Sequence, residues 1–172
     1  WATATVPYTP AAMHRIAEEH LRYLRAFSGR VRKVLVLDLD DTLWGGVLGE
    51  RGEEGIDLGA TYPGSAFVDF QQAIAELRRR GVVLALNSSN DEAEAIRVIE
   101  SHPSMVLRLD AFAAHRINWH DKVANIEAIA GELGLGLDSF VFIDNSEAEC
   151  ARMRQALPEV LTWQLSSEPA GY

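Results

Sequence analysis

The chain has 172 residues, of which 48% are hydrophobic and 24% charged. This is the composition of one globular domain, and it argues against a disordered tail or a coiled coil. The 16 basic and 25 acidic residues give a net charge of −9, which disfavours nucleic acid as a partner. The single cysteine, Cys150, excludes an internal disulfide framework and a thiolate metal site.

The sequence also bears on where the protein works and how it is organised. It has no apolar run long enough to span a membrane and no signal-peptide pattern at its start, so we expect a cytoplasmic protein without a membrane partner. It begins at Trp1 rather than Met, from which we expect a segment of a larger chain. Residues 1–30 are predicted to form an extended lead-in and a packing helix, and residues 31–172 the main domain.

Helical patterns alternate with short apolar runs along the chain. The predicted helices, which share an apolar face, are residues 11–27, 67–77, 93–99, 118–133 and 147–157. The predicted strands are residues 34–37, 82–86, 140–143 and 160–163, with weaker candidates at 105–107 and 111–113. Apolar strands between helices predict an α/β fold, a doubly wound Rossmann-like parallel sheet that binds ligands beyond the carboxyl ends of its strands.

Polar residues at those strand ends are the candidates for chemistry. Asp38, Asp40 and Asp41 follow the first strand, and three carboxylates this close repel one another unless a cation lies among them. A solvated acidic turn is the alternative interpretation.

The second strand ends at residues 87–90, and Ser89 with Glu92 fits a capping box for the next helix. That arrangement would leave the helix N-terminus and the Ser88 hydroxyl group free to receive an anion. Plain helix capping is the alternative interpretation of these residues.

Two further residues complete the pattern. Lys122 lies in the first turn of a predicted helix, where a positive charge is slightly unfavourable. This placement suggests a functional role; a solvated surface lysine is the alternative interpretation. Asp144 and Asn145 end a buried strand just before a second capping box, residues 146–149.

The order of these residues along the chain is that of a phosphoryl-transfer site, in which acids hold magnesium, one acid attacks phosphorus, and Lys and Ser neutralise the oxygens. It resembles the motif order of the haloacid dehalogenase superfamily. The resemblance implies that Asp38 is the nucleophile and Asp40 the general acid and base, with Ser88 and Lys122 completing the catalytic set. It also implies Mg²⁺ held by Asp38, the backbone carbonyl of Asp40, and Asp144.

Longer runs resemble the signature of the FkbH-like branch of this superfamily; they are residues 37–50, 67–71, 117–122 and 137–144. Members of that branch work in or beside modular polyketide synthases. They dephosphorylate 1,3-bisphosphoglycerate and load the glyceryl unit onto the phosphopantetheine thiol of an acyl carrier protein. The resemblance therefore implies a phosphoglycerate-type substrate, a carrier-protein partner and a place in a larger polyketide synthase chain.

The chain departs from this branch at two positions. Asn87 stands where the branch has the cysteine that carries the acyl group, and Asn145 stands where a second acid is common. Cys150 is predicted to be a small core residue rather than a replacement. We expect substrate contacts from seven residues: Trp44, Gly45, Gly46, Asn87, Ser89, Asn90 and Asn145.

Other functions remain open. The alternatives are a metal-dependent phosphatase without acyl transfer and a non-catalytic carrier-docking domain. A receiver-type signalling module is disfavoured because no Asp ends the strand at residues 82–86. The glycine-rich residues 44–62 are long enough for a flap but not for a cap domain, so we expect an open site with Trp44 at its rim; a packed core Trp is the alternative there.

Overall fold

The structure is a computed structural model that describes residues 9–27 and 31–169. The chain divides into two compact units, with the boundary between residues 31 and 32. The first unit contains α1 (Pro10–Phe27), which confirms the helix that the apolar spacing predicts. The predicted helix stop at residues 28–29 and most of the predicted lead-in lie outside the described residues.

The second unit is a five-stranded sheet with helices on both faces. Its strands are β1 (Val34–Leu37), β2 (Val83–Ser88), β3 (Phe112–Ile117), β4 (Phe140–Asp144) and β5 (Leu161–Gln164). Its α-helices are α2 (Leu48–Arg51), α3 (Gly64–Arg79), α4 (Glu92–Ser101), α5 (Lys122–Leu133) and α6 (Glu147–Ala156). The strands lie in the order β3-β2-β1-β4-β5 and every neighbouring pair is parallel, which confirms the predicted fold class.

The central strand β1 explains why the sheet is covered on both faces. All four of its residues are buried, and successive side chains point to opposite faces of the sheet. Leu35 and Leu37 belong to one core with residues of α3 and α4, whereas Val34 and Val36 belong to a second core with residues of α5 and α6. An apolar strand of this kind can only be stable between two layers of helices.

The helix that follows β2 begins differently from the prediction. Asp91, not Ser89, is the N-cap of α4, and its carboxylate accepts a hydrogen bond of 3.0 Å from the backbone N–H of Glu94. The predicted capping box at residues 89–92 is therefore wrong. Two other helix ends confirm predictions: Ser146 caps α6, and Gly134, with φ of 64°, ends α5.

The weak strand candidate at residues 105–107 is also wrong. The backbone N–H groups of Val106 and Leu107 donate to Gln71 Oε1 at 2.9 and 3.1 Å, rather than to a neighbouring strand. Gln71 is fully buried on α3, so a side chain supplies the acceptor that a sheet would otherwise provide. The second weak candidate corresponds to the start of β3, whose observed range is longer.

The segment between β1 and α3 is short. It holds α2, of four residues, and an isolated antiparallel bridge between Gly45 and Asp57. A Cβ atom on Gly45 would lie 2.8 Å from the Phe67 ring, so this close packing requires glycine. The described residues contain no cap domain, as the segment length predicts.

The longest described helix is α1, with 18 residues, followed by α3 with 16. No helix in the described part of the chain is long and apolar enough to cross a membrane.

Candidate active site

Four residues that are distant in sequence meet at the carboxyl edge of the sheet. Asp38 follows β1, Ser88 ends β2 and Asp144 ends β4, and these three strands are neighbours. Lys122 is the first residue of α5, and its Nζ atom lies 3.0 Å from Asp38 Oδ1 and 2.6 Å from Asp144 Oδ2. The structure thus brings the predicted acids and the predicted lysine into direct contact.

The charges in this cluster are buried and unbalanced. Asp38 and Lys122 are each 5% exposed and Asp144 is 0% exposed, so one ammonium group faces two carboxyl groups away from water. Burial raises the pKa of Asp38 to about 6; Asp144 adds to the shift and Lys122 opposes it. Burial alone would lower the pKa of Lys122, but the two carboxylates raise it above its ordinary value, so this lysine is charged.

A divalent cation would suit the carboxylate oxygen that this cluster leaves without a hydrogen bond. Asp38 Oδ1 forms an ion pair with Lys122 but accepts no hydrogen bond of good geometry, although it is buried. A buried carboxylate oxygen without a hydrogen bond lowers the stability of the fold. Carboxylate oxygens are also the ligands that Mg²⁺ prefers. The described residues place no three metal-binding side chains together, so a cation here would need main-chain oxygens beside Asp38 and Asp144.

The carboxyl group of Asp40 is held by three N–H donors. Its Oδ1 atom accepts hydrogen bonds from Trp44 Nε1 at 2.9 Å and from the backbone N–H of Leu48 at 3.1 Å. Its Oδ2 atom accepts one from Asn90 Nδ2 at 3.0 Å. Trp44 is fully buried, so the predicted position at the rim is wrong and the alternative, a packed core Trp, is right.

Ser88 and Asn90 lie between the Asp40 side chain and Asp38. Asn90 Nδ2 also donates to Ser88 Oγ at 3.3 Å, and the nearby Ser88 side chain opposes the rise in the pKa of Asp38. Ser88 and Asn90 are both buried, whereas Ser89 between them is half-buried. The predicted anion-facing residues at the end of β2 therefore do lie beside the acid cluster.

Asn87 has a different place from the one predicted. It is fully buried, its Nδ2 atom donates to the Lys122 main-chain carbonyl at 2.8 Å, and its Oδ1 atom accepts from Asn125 Nδ2 at 3.0 Å. Asn125 Nδ2 in turn donates to Asn118 Oδ1 at 3.0 Å. Because both ends of the Asn87 amide are bonded to protein groups, the predicted substrate contact is replaced by a link between β2 and the start of α5.

The loop after Asp40 is shaped by its own backbone. Asp41 has a positive φ of 48°, and its Oδ1 atom accepts a hydrogen bond of 2.5 Å from the backbone N–H of Gly46. Gly46, with φ of 89°, lies in a region that favours glycine. Gly45 and Gly46 are thus explained by loop geometry beside the site; their predicted substrate contacts stay predictions.

A cavity of about 410 Å³ lies beside the acid cluster. Its lining includes the predicted substrate contact Asn145, the strand-end acid Asp41 and Phe67 of the FkbH-like run 67–71. It also includes residues that the sequence did not single out: Gln164, Leu165, Ser166, Ser167 and Pro169. The position of residues 164–169 at the end of the predicted last strand could have identified them, because the carboxyl ends of all parallel strands lie at the edge of the sheet that holds the acids. A larger cavity, of about 740 Å³, lies along β3 and contains none of the predicted site residues.

Cys150 is a core residue, as predicted. It is fully buried, and its Sγ atom lies 3.5 Å from the main-chain oxygen of Asp144. Burial raises the pKa of the thiol to about 11, so it is protonated at neutral pH.

The parallel sheet and the acid cluster at its carboxyl edge identify the class of fold. This chain has the fold of the haloacid dehalogenase phosphatases. The solved structure of the N-terminal part of a Bacteroides fragilis protein, which contains a phosphatase domain and is complexed with Mg, matches with a TM-score of 0.87 and 38% sequence identity. The match covers 91% of this chain and 42% of that chain, so this chain spans less than half of that structure.

More distant structures agree on the fold. A haloacid dehalogenase family enzyme from Bacteroides thetaiotaomicron, complexed with magnesium and inorganic phosphate, matches with a TM-score of 0.54 and 14% identity, over 78% of this chain and 94% of that chain. A haloacid dehalogenase-like protein from Bacteroides fragilis matches with a TM-score of 0.56 and 14% identity, over 79% and 88%. No protein-family model matches the chain, and no curated protein matches it.

Proposed function

We propose that this chain is a magnesium-dependent phosphatase of the haloacid dehalogenase type, with Asp38 as its nucleophile. The observation that carries the proposal is the contact of one buried lysine, Lys122, with both Asp38 and Asp144 at the carboxyl edge of the sheet. A relative with 38% identity that contains a phosphatase domain and is complexed with Mg supports it.

The residues proposed to hold magnesium are Asp38 and Asp144 through their carboxylates and Asp40 through its main-chain carbonyl. The unsatisfied Asp38 Oδ1 atom and the excess of negative charge in the cluster support this set. The ion, when bound, supplies positive charge that neutralises phosphoryl oxygens.

The protein residues divide the reaction into two steps. An Asp38 carboxylate oxygen forms a bond to phosphorus while the bond from phosphorus to the leaving oxygen breaks, and Asp40 gives that oxygen a proton. Water then attacks the phosphoaspartate and returns a proton to Asp40, which releases phosphate and the Asp38 carboxylate. Lys122 has three N–H donors, of which two face carboxyl groups, so one remains for a phosphoryl oxygen beside the Ser88 hydroxyl.

The 410 Å³ cavity is proposed to receive the leaving group. It adjoins the acid cluster, because the backbone N–H of Leu165 donates to the main-chain oxygen of Asp144 at 2.9 Å. Its described lining contains amide and hydroxyl groups from Asn145, Gln164 and Ser167, and no Lys, Arg or His. A leaving group with hydroxyls is therefore favoured over one with a second anionic group.

A second candidate function is the loading of a glyceryl unit from 1,3-bisphosphoglycerate onto an acyl carrier protein within a polyketide synthase. The FkbH-like sequence runs support it, and so does the short flap, which gives the phosphopantetheine arm access to the sheet edge. With Asn87 in a structural link and the Cys150 thiol protonated, the acyl group would have to pass directly. The carrier thiolate would attack the acyl carbon and the C1 phosphate would leave, which gives a 3-phosphoglyceryl thioester. The Asp38 and Asp40 steps described above would then hydrolyse the C3 phosphate ester, which releases a second phosphate and leaves the glyceryl unit on the carrier.

One experiment separates these functions. The chain is incubated with Mg²⁺ and a panel of phosphate monoesters, and separately with bisphosphoglycerate and a phosphopantetheinylated carrier. Released phosphate and the intact mass of the carrier are measured. Phosphate release that requires Mg²⁺, with an unmodified carrier, supports the phosphatase; a glyceryl adduct on the carrier supports the second candidate.

The matched variants test the nucleophile. Asp38→Asn is expected to abolish phosphate release and the acid-stable phosphoryl adduct on the protein, whereas Asp110→Asn, at an exposed position, leaves both unchanged. Full activity in Asp38→Asn, or activity unaffected by excess chelator, would overturn the proposed phosphatase.

A further inference from the structure

We infer that Trp44 is a positioning residue, which orients the carboxyl group of Asp40 so that its proton is transferred at Oδ2. The inference rests on the proposed function, since it assigns an atom and a support to the proposed general acid. Trp44 is on the loop after β1, four residues beyond Asp40, and it is not exposed to substrate.

The Oδ1 atom of Asp40 is saturated. It accepts from Trp44 Nε1 at 2.9 Å and from the Leu48 backbone N–H at 3.1 Å. A carboxylate oxygen has two lone pairs in the carboxylate plane, so two N–H donors leave Oδ1 without capacity to carry a transferable proton. The proton must therefore be held at the other oxygen.

The Oδ2 atom has one acceptor position left. Asn90 Nδ2 donates to it at 3.0 Å and also donates to Ser88 Oγ at 3.3 Å. Asn90 thus ties Oδ2 to Ser88, which ends β2, the strand next to the one that Asp38 follows. The remaining lone pair of Oδ2 is the position that can hold the proton. The leaving oxygen receives the proton from there, and water returns one to the same position.

Trp44 can fix this orientation because it cannot itself move freely. The side chain is 0% exposed and belongs to the core shared with α3 and α4. A buried indole N–H needs an acceptor, and Asp40 Oδ1 is that acceptor. Rotating the Asp40 carboxyl group would leave the Trp44 and Leu48 N–H groups without their acceptor, so the packed ring holds Oδ2 in place.

The test uses the leaving group, because a poor leaving group needs the proton and a good one does not. Trp44→Phe keeps an aromatic ring and removes the N–H. We expect kcat/KM to fall by about tenfold or more for an alkyl phosphate such as glycerol phosphate, and by less than about threefold for 4-nitrophenyl phosphate. Trp163→Phe, at a side chain that is 62% exposed on β5, leaves both values unchanged.

A second measurement does not depend on activity or on the folding of Trp44→Phe. The indole N–H signals of the ¹⁵N-labelled protein are recorded with and without Asp40→Ala. We expect the Trp44 signal to move upfield, because its acceptor is lost, while the signals of the exposed Trp119 and Trp163 stay in place.

The outcomes separate this inference from the proposed function. Full activity in Asp38→Asn overturns the proposed phosphatase. An inactive Asp38→Asn together with an equal loss for both esters in Trp44→Phe overturns only the role of Trp44. An indole signal that does not respond to Asp40→Ala also overturns it.

Discussion

The side-chain amide of Asn87 donates a hydrogen bond of 2.8 Å to the main-chain carbonyl of Lys122. The donor lies on β2 and the acceptor on the first residue of α5, so this bond fixes the start of the helix against the sheet. The Lys122 ammonium group that reaches Asp38 and Asp144 is carried by that same residue. The position of the lysine is thus set by a residue whose side-chain amide bonds to residues of α5.

Asn87→Ala is therefore expected to weaken both the fold and the site. It leaves the Lys122 carbonyl and the Asn125 amide short of a buried partner, which should lower the free energy of unfolding by about 1–3 kcal/mol. We expect kcat to fall more than KM rises. Urea unfolding and steady-state kinetics measure the two effects, with the exposed Gln72→Ala as the control. A variant as stable and as active as the wild type would contradict the role of this link.

Lys122→Met is expected to leave two buried carboxyl groups without their counter-ion. Removing one partner of a buried ion pair lowers the free energy of unfolding by about 3–5 kcal/mol, and the phosphatase activity should be lost as well. Adding Asp144→Asn to this variant should restore part of the stability, since it removes one of the unpaired charges, but not the activity. Urea unfolding of both variants checks the prediction, which fails if the second change destabilises further.

The raised pKa of Asp38 predicts the pH dependence of stability without metal. The pKa of Asp38 is about 6 in the folded protein, against an ordinary value of 3.8. The protonated side chain therefore contributes its full stability below pH 3.8, and that contribution is lost as the pH rises through about 6. Relative to Asp38→Asn, the wild type should lose up to about 3 kcal/mol between pH 4 and pH 7 in excess chelator.

Magnesium should reverse this loss, because the ion stabilises the ionised carboxylates. Unfolding at both pH values, with Mg²⁺ or with chelator, provides the comparison. A difference between wild type and Asp38→Asn that stays constant from acid to neutral pH would show that burial does not raise the pKa of this group.

Cys150 should be inert in the folded protein. Its thiol is buried and its pKa is raised to about 11, so little thiolate is present for alkylation or acyl transfer at pH 8. We expect iodoacetamide to label the protein in urea but not in buffer, as read by intact mass. Rapid labelling of the native protein would reopen a role for Cys150 as an acyl carrier.

Gln164→Ala tests the leaving-group cavity. The side chain lines the 410 Å³ cavity and touches none of the acids in the described contacts, so we expect KM for polyol phosphates to rise by about three- to tenfold with kcat unchanged. The exposed Gln155→Ala on α6 serves as the matched control. Equal KM values for wild type and Gln164→Ala would place the leaving group elsewhere.

The sequence by itself determined the architecture and the candidate acids. Strands that are apolar on both faces, such as β1, require helices on two sides, and parallel strands end at one edge. Residues at the carboxyl ends of such strands, Asp38 and Asp144 among them, must therefore lie at that edge of the sheet. These inferences depend only on local pattern and on the geometry common to all parallel sheets.

Only the tertiary structure decided which hydrogen-bond partner each polar group takes. Trp44 could have formed a rim or a core, and its burial became visible only once α3 and α4 were packed around it. Asn87 binds Lys122, 35 positions away, and the cavity residue Gln164 lies 123 positions beyond Asp41. Periodicity reports how one segment is buried, whereas the choice of partner depends on the distances between segments, which are set when the whole core packs.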